Sequence, residues 1–417
     1  MPNSTLALLG GPKTIRKKDS HYEWPRIIQT TQNRVLKQLN KSISIYDKSG
    51  IIDKFEKKFA QYHKRKYALL TSSGTAALHS IYVGANLQSG DEIICPAYTF
   101  FATVTPLFFT GAIPVLCDAD KSGNIDPNKI EKLINHRTRG IVVTHMWGIP
   151  CEMDKISSLC KKHNLLLFED CSHAHGAQYK GKLVGTWGNA SAWSLQGQKI
   201  ISGGEGGILL TDSEEIYYRA LLLGHYNKRC KQEIPKEHPL YQYTVTGMGL
   251  KYRAHPLAIA IASEQMSHLD RWLSQKRILS KIMIKRLERL PGIHCPKIPK
   301  YSKPAWYAFT FQYEQRELGG LPIEGFYEAI KAEGCIEADR PGSTCPLNLL
   351  PLFQDPSKLF PSYNGKVKYQ PGDFPVAERF FENLIKLPVW VHKSDVKLVN
   401  KYMDAIEKVI TNYRELL

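Results

Sequence analysis

No stretch of this sequence stays apolar for long enough to cross a bilayer, which excludes a helical membrane protein. The opening Leu6-Ala7-Leu8-Leu9 is too short for the core of a secretion signal and runs into Gly10-Gly11-Pro12. A cytoplasmic location is therefore expected. Cysteines at paired-ligand spacing are also missing. The nine present are scattered and odd in number, so neither a disulfide framework nor a zinc site is expected. Cys171, His173 and His175 lie close together, but no second pair accompanies them and no metal is assigned. No internal repeat or low-complexity tract breaks the chain. Acidic residues are outnumbered, 39 Asp and Glu against 56 Lys and Arg, for a net charge of +17. Basic runs fall at 13–18, 57–66 and 228–231. They come without a recognition motif and read as solvated faces rather than a nucleic-acid surface; part of the charge would suit an anionic substrate.

What is present is an ordinary globular composition, 43% hydrophobic and 23% charged, in a chain of 417 residues. That length buries a large core and suits one large and one smaller domain. Apolar runs at 67–71, 92–95, 113–117, 140–144, 165–169, 190–194 and 207–211 read as strands. Helical patterns fit between several of them, at 75–84, 103–110 and 153–163, and another lies ahead of them at 51–62. The alternation predicts an α/β fold, a mostly parallel central sheet with helices on both faces. Residues 1–50 read as an irregular N-terminal arm, with Trp24-Pro25 as its docking point. The large domain is expected over 51–275, including a polar and aromatic loop at 224–253. Long helices are expected at 257–273 and 276–290. A strand at 308–313 and helices at 323–332 and 396–412 predict a smaller α+β domain over 276–417.

The chemistry concentrates in the segment from Ser194 to Gly207. It sets Lys199 among small and polar residues just ahead of a glycine-rich turn. An aldehyde cofactor needs a lysine held in place, with backbone that can approach closely. Upstream, the run Leu165-Leu166-Leu167 ends in Phe168-Glu169-Asp170, a carboxylate at a strand end. Together they suggest pyridoxal phosphate: Lys199 for the Schiff base, Asp170 to keep the pyridine nitrogen protonated. Ser73-Gly74-Thr75 follows a strand and opens a helix, where free N–H groups and the dipole suit a phosphate. After the next strand come Tyr98, Phe100 and Phe101. Phe100 is the first choice to stack on the ring, Tyr98 the second, and Phe101 reads as core.

These segments resemble the DegT/StrS-type sugar aminotransferases, which belong to the fold-type I pyridoxal phosphate enzymes related to aspartate aminotransferase. Ser73–Leu78, Pro96–Phe100, Glu169–Ala177, Ser194–Gly207, Gly249–Arg253 and Pro346-Leu347 carry the resemblance, in order along nearly the whole chain. It implies that Lys199 is the cofactor lysine, Asp170 the acidic partner, and Ser194, Gly74 and Thr75 phosphate contacts. His173 stands where the family usually has a glutamine against the ring, and Lys251 where it has an asparagine reaching the partner subunit's cofactor phosphate. The resemblance also implies a homodimer with shared active sites, the 224–253 loop being the segment expected to cross over. The implied reaction moves an amino group from glutamate or glutamine to a keto-sugar, with nucleotide-linked sugars first. A keto-cyclitol (inosose) aminotransferase is the alternative, since Leu8-Leu9-Gly10-Gly11-Pro12 is similar to that branch and to a related one that makes aromatic amino acids from cyclic keto-acids. A pyridoxal phosphate sugar dehydratase and a non-catalytic protein on the same fold are the remaining readings. The best-known deoxygenating relatives carry histidine at the position of Lys199.

Overall fold

Seven strands form one sheet in the computed structural model, which describes residues 5–16, 22–365 and 367–417. Lys17 and Lys18 of the first basic run lie outside the described residues. The strands are β1 (Tyr67–Thr71), β2 (Glu92–Pro96), β3 (Ile113–Cys117), β4 (Thr138–Thr144), β5 (Leu166–Asp170), β6 (Ala190–Ser194) and β7 (Gly207–Thr211). Their order across the sheet is β1-β7-β6-β5-β4-β2-β3. The run from β6 to β3 is parallel; β7 is antiparallel to both its neighbours. The carboxyl ends of β1, β2, β4, β5 and β6 therefore share one edge of the sheet.

Both faces are covered, which is why these strands are nearly continuous in apolar residues. Helices α1 (Gln29–Leu39), α2 (Gly50–His63), α3 (Gly74–Gly84), α4 (Met153–Lys162), α5 (Glu214–Gly224) and α6 (Pro256–Met266) surround the sheet. Alternate strand residues face opposite layers. Leu209 packs with Ala77 and Ile81 of α3 and Leu221 of α5, whereas Ile208 and Leu210 pack with Phe55 and Phe59 of α2 and Ile259 of α6.

A second core gathers α7 (Leu269–Leu287), α8 (Ile323–Ala332) and α9 (Val396–Thr411) on a small antiparallel sheet of β8 (Ile293–His294), β9 (Phe309–Tyr313) and β10 (Leu384–Leu387). Leu6 and Ile15 of the N-terminal segment belong to this core. They are anchored by Glu333, whose carboxylate accepts from Ala7 N (2.8 Å), Thr14 N (3.0 Å) and Thr14 Oγ1 (2.7 Å). Lys408 Nζ pairs with the same carboxylate at 2.7 Å and donates to Pro12 O.

The structure corrects four local expectations. Residues 1–50 are not wholly irregular, because α1 forms and ties to α6 through Thr30 and Arg34, both donating to Glu264. Its Gln- and Thr-rich sequence has no apolar stripe; tertiary contacts hold it. The 224–253 segment holds a short helix, Asn227–Glu233, fixed by Arg229 between Glu56 and Glu233. The long helices divide at Ser267-His268 rather than near 274, where the Ser267 hydroxyl takes the Glu264 carbonyl in competition with the helix ladder. Helix α7 consequently runs through the expected domain boundary at 275/276. The expected helix at 103–110 shrinks to Thr105–Phe108, preceded by a 3₁₀ turn at Phe101–Thr103. Among the described residues no helix is long and apolar enough to cross a membrane.

Candidate active site

The carboxyl edge of the sheet opens into a cavity of about 550 Å³. Every site residue expected from the sequence lines it except Lys251: Ser73, Gly74, Thr75, Phe100, Asp170, His173, Ser194 and Lys199. They come from the ends of β1, β5 and β6 and from the loops after β2 and β6, so strand direction brings them together.

The β1–α3 turn is built by close packing. Ser73 caps α3, its hydroxyl accepting from Ala76 N at 3.0 Å. A Cβ on Gly74 would meet Ser194 Cβ at 2.8 Å, and one on Gly207 would come within 2.2 Å of Ser73 O. Only glycines let the helix start lie against the ends of β6 and β7. The first amides of α3, with the exposed Thr75 beside them, thereby face the cavity as anion donors.

Asp170 ends β5 and is 5% exposed. Its Oδ2 accepts from Thr103 Oγ1 at 2.7 Å and its Oδ1 from Ser172 N at 3.0 Å. The neighbouring Glu169 points to the other face of the sheet. There it accepts from the backbone N–H groups of Gly185 (2.6 Å), Trp187 (2.7 Å) and Gly188 (2.8 Å). Adjacent carboxylates on one strand thus have separate tasks, one structural and one at the cavity. Glu169 also groups with His145 and Cys171, their candidate ligand atoms lying within 4.8 Å of one another. His145 Nδ1 accepts from Cys151 N, which leaves Nε2–H to donate to Glu169 at 3.3 Å; these atoms are engaged within the protein.

Lys199 sits in the turn after β6. Its carbonyl accepts from the Trp24 indole N–H at 2.9 Å, and Trp24 in turn packs edge-on against Trp272 at 4.9 Å. The expected docking point of the arm is therefore at the lysine's own backbone. Lys199 Nζ lies 4.5 Å from the centre of the Tyr307 ring. Burial lowers the pKa of its amine from 10.5 to about 8; Asp170 opposes this and Lys386 adds to it. His173 stacks on Tyr307 at 4.0 Å with planes 7° apart, and its Nδ1 is buried without a partner. Burial, with the nearby Lys199 and Lys386 charges, holds its imidazole well below the ordinary histidine range. It is therefore neutral at pH 7.

Two aromatic expectations change. Tyr98 is buried against Phe380 and does not line the cavity, whereas Phe101 is 39% exposed and lies tilted against Phe100, ring centres 4.2 Å apart. The 3₁₀ turn at Phe101–Thr103 ends the strand alternation and turns Phe101 outward. Lys251 lies outside the cavity, with Nζ 5.6 Å from the Tyr226 ring. Three lining groups carried little readable signal in the sequence. Tyr307 comes from the loop before β9, and Lys386 of β10 pairs with Asp339 at 2.6 Å. The adjacent aromatics Trp306-Tyr307 were the one hint among these. A strand pairing of Thr344–Pro346 with Tyr98–Phe100 brings the 339–344 segment over the site.

An amine depressed toward neutrality, a carboxylate on the cavity floor, helix amides with hydroxyls, and an orphaned imidazole nitrogen are a donor set that fits an aromatic aldehyde bearing a phosphate. The comparisons with known proteins agree. The chain is 31% identical to a putative L-glutamine:3-amino-2,3-dideoxy-scyllo-inosose aminotransferase of Micromonospora echinospora, over 98% of this chain and 97% of that protein. It is 35% identical to GDP-perosamine synthase of Escherichia coli O157:H7 over 64% of this chain and 69% of that protein. Its structure superposes on the aminotransferase from Psychrobacter cryohalolentis with a TM-score of 0.82, 25% identity, and coverage of 95% of this chain and 100% of that one. The model of one family matches residues 26–406, and the chain belongs to it: the DegT/DnrJ/EryC1/StrS aminotransferase family.

Proposed function

We propose that the chain transfers an amino group from glutamate or glutamine to a ketone on a sugar or cyclitol, using pyridoxal phosphate held by the residues above. The convergence of Lys199 and Asp170 on one cavity beside the amino end of α3 is the observation that carries this reading. When bound, the cofactor supplies an aldehyde that accepts the amino group and a ring that withdraws electrons. The first amides of α3, Thr75 and Ser194 bind its phosphate. Asp170 holds a proton at the ring nitrogen by charge pairing. Phe100 and His173 fix the plane of the ring, and Tyr307 backs His173. The neutral form of Lys199 Nζ, favoured by burial, would be the nucleophile toward that aldehyde and, when free, the base that takes the proton from the donor's α-carbon. In the second half-reaction the same amine hands a proton back.

Two substrate readings are carried by different observations. A nucleotide-linked keto-sugar follows the GDP-perosamine synthase likeness. A keto-cyclitol follows the inosose aminotransferase, which matches this chain nearly end to end. Lys251 does not line this cavity and is assigned to the cofactor phosphate of a partner subunit in a homodimer. Charging the protein to its pyridoxamine form and adding a panel of nucleotide-linked keto-sugars and inososes tests the reading. Return of the aldehyde absorbance identifies the acceptor, and no return with any ketone defeats the proposal. Mixing Lys199→Ala and Lys251→Ala protomers tests the shared site. Each hybrid dimer holds one site with both residues, so activity should partly return; none after confirmed exchange removes Lys251.

A further inference from the structure

Behind Asp170 lies a closed cluster of three threonine hydroxyls. Thr99 Oγ1 is 2.9 Å from Thr103 Oγ1 and 3.1 Å from Thr144 Oγ1, and Thr103 and Thr144 are themselves 3.1 Å apart. All three residues are buried, none more than 3% exposed. They come from three elements. Thr99 lies in the strand Tyr98–Phe100, Thr103 ends the following 3₁₀ turn, and Thr144 ends β4, in register beside Asp170 of β5. The hydrogens can be counted, because each hydroxyl donates one. That of Thr103 goes to Asp170 Oδ2 at 2.7 Å. Thr103 Oγ1 is then left as an acceptor within the cluster. The remaining two hydrogens must serve the contacts among the three oxygens. With Thr99 donating to Thr144, Thr144 donates to Thr103 and Thr103 to Asp170, and the third contact, between Thr99 and Thr103, carries no hydrogen. The backbone of Thr103 is also fixed, its carbonyl accepting from Tyr82 Oη at 2.7 Å.

We propose that Thr99, Thr144 and Thr103 act as positioning residues, a directed hydroxyl chain that aims Asp170 Oδ2 and polarises it so that the shared proton stays on the cofactor's ring nitrogen. The chain rests on the assignment of Asp170 to that nitrogen. Hydrogen bonds in sequence strengthen one another in a low-dielectric interior, and a bond to a charged acceptor is stronger than one to a neutral group. Without the Thr103 donor the carboxylate bears its charge with one partner fewer, and the proton moves from nitrogen toward oxygen. Threonine has the same shape as valine, so the hydroxyl can be removed with little change in packing. A merely structural threonine would leave the protonation of the ring untouched.

The test loads the protein with pyridoxal phosphate carrying ¹⁵N in the ring and reads the nitrogen resonance. Wild type and Thr103→Ser should give the same protonated-pyridine signal. Thr103→Val should move it toward the unprotonated position, and Thr144→Val and Thr99→Val should move it the same way by less. The half-reaction with the amino donor should slow about tenfold in Thr103→Val, with KM for the donor little changed. Asp170→Asn separates the two layers of the reasoning. No movement in that variant removes Asp170 from the ring nitrogen and overturns both the assignment and the threonine chain. Movement in Asp170→Asn with none in Thr103→Val overturns the threonine chain alone. If Thr103→Val does not fold, Thr144→Val decides by the same signal, and a wild-type resonance there overturns the proposal.

Discussion

In the protein free of cofactor, the Lys199 amine should be half deprotonated near pH 8, far below an ordinary lysine. Burial of the ammonium is the largest cause, the Asp170 carboxylate opposes it, and the Lys386 ammonium adds to it. Raising the pH increases the neutral, nucleophilic fraction, so reactivity should climb and reach half its plateau at about 8. At pH 7.5 about a quarter of Lys199 is then neutral, against about one in a thousand for an unperturbed lysine, a gain of a few hundredfold in attacking species. Brief labelling with dinitrofluorobenzene across a pH series, followed by digestion and mass spectrometry, reads Lys199 against exposed lysines of the same digest. The reagent is a single substituted ring and fits a cavity of about 550 Å³. Two variants separate the causes. Lys386→Met removes a like charge and should move the midpoint up. Asp170→Asn removes an attractive charge and should move it down. A wild-type midpoint near 10.5, or both variants moving the same way, would refute the electrostatic account of this site.

Glu333→Ala should cost about 3–5 kcal/mol in denaturant unfolding, because it leaves the Lys408 ammonium buried and unpaired and frees residues 5–16 to early proteolysis. Burial alone would raise the Glu333 pKa, but Lys408 and the Ala7 and Thr14 donors hold it below the ordinary glutamate value. Its stabilisation should thus be complete above that value and fade as pH falls through the lowered one, a dependence the variant loses. Gly74→Ala should fold but bind pyridoxal phosphate at least tenfold more weakly by spectroscopic titration, since the added carbon pushes the start of α3 off Ser194. Unchanged affinity would mean this turn does not hold the phosphate. Trp24→Phe keeps an aromatic ring but loses half of the indole and its N–H to the Lys199 carbonyl, the hydrogen bond alone being about 1 kcal/mol of stability. It should lower kcat more than the stability loss explains, and equal kcat would leave Trp24 a packing residue only.

Local pattern determined much of this protein. The seven strands of the main sheet were legible to within two residues, because a strand covered on both faces must be apolar along its length and its ends are marked by glycine and polar turns. The Lys199 turn, the Asp170 strand end and the Ser73–Thr75 helix start were legible for a related reason: the chemistry proposed for them needs particular residue types beside particular backbone shapes. What the sequence could not carry is whatever depends on meetings between distant segments. Helix α1 is held by Glu264 more than two hundred residues away, and Leu6 and Ile15 complete the core built on α7 to α9. Tyr307, Asp339 and Lys386 enter the cavity only because the second unit folds over the carboxyl edge of the main sheet, through the pairing of Thr344–Pro346 with Tyr98–Phe100. The depressed pKa of Lys199 and the hydroxyl chain behind Asp170 belong to the same class. Burial and hydrogen-bond direction are set by which atoms meet in space, and three threonines spread over 45 residues show no pattern until the pairing of β2 with β4 brings them together beside the end of β5.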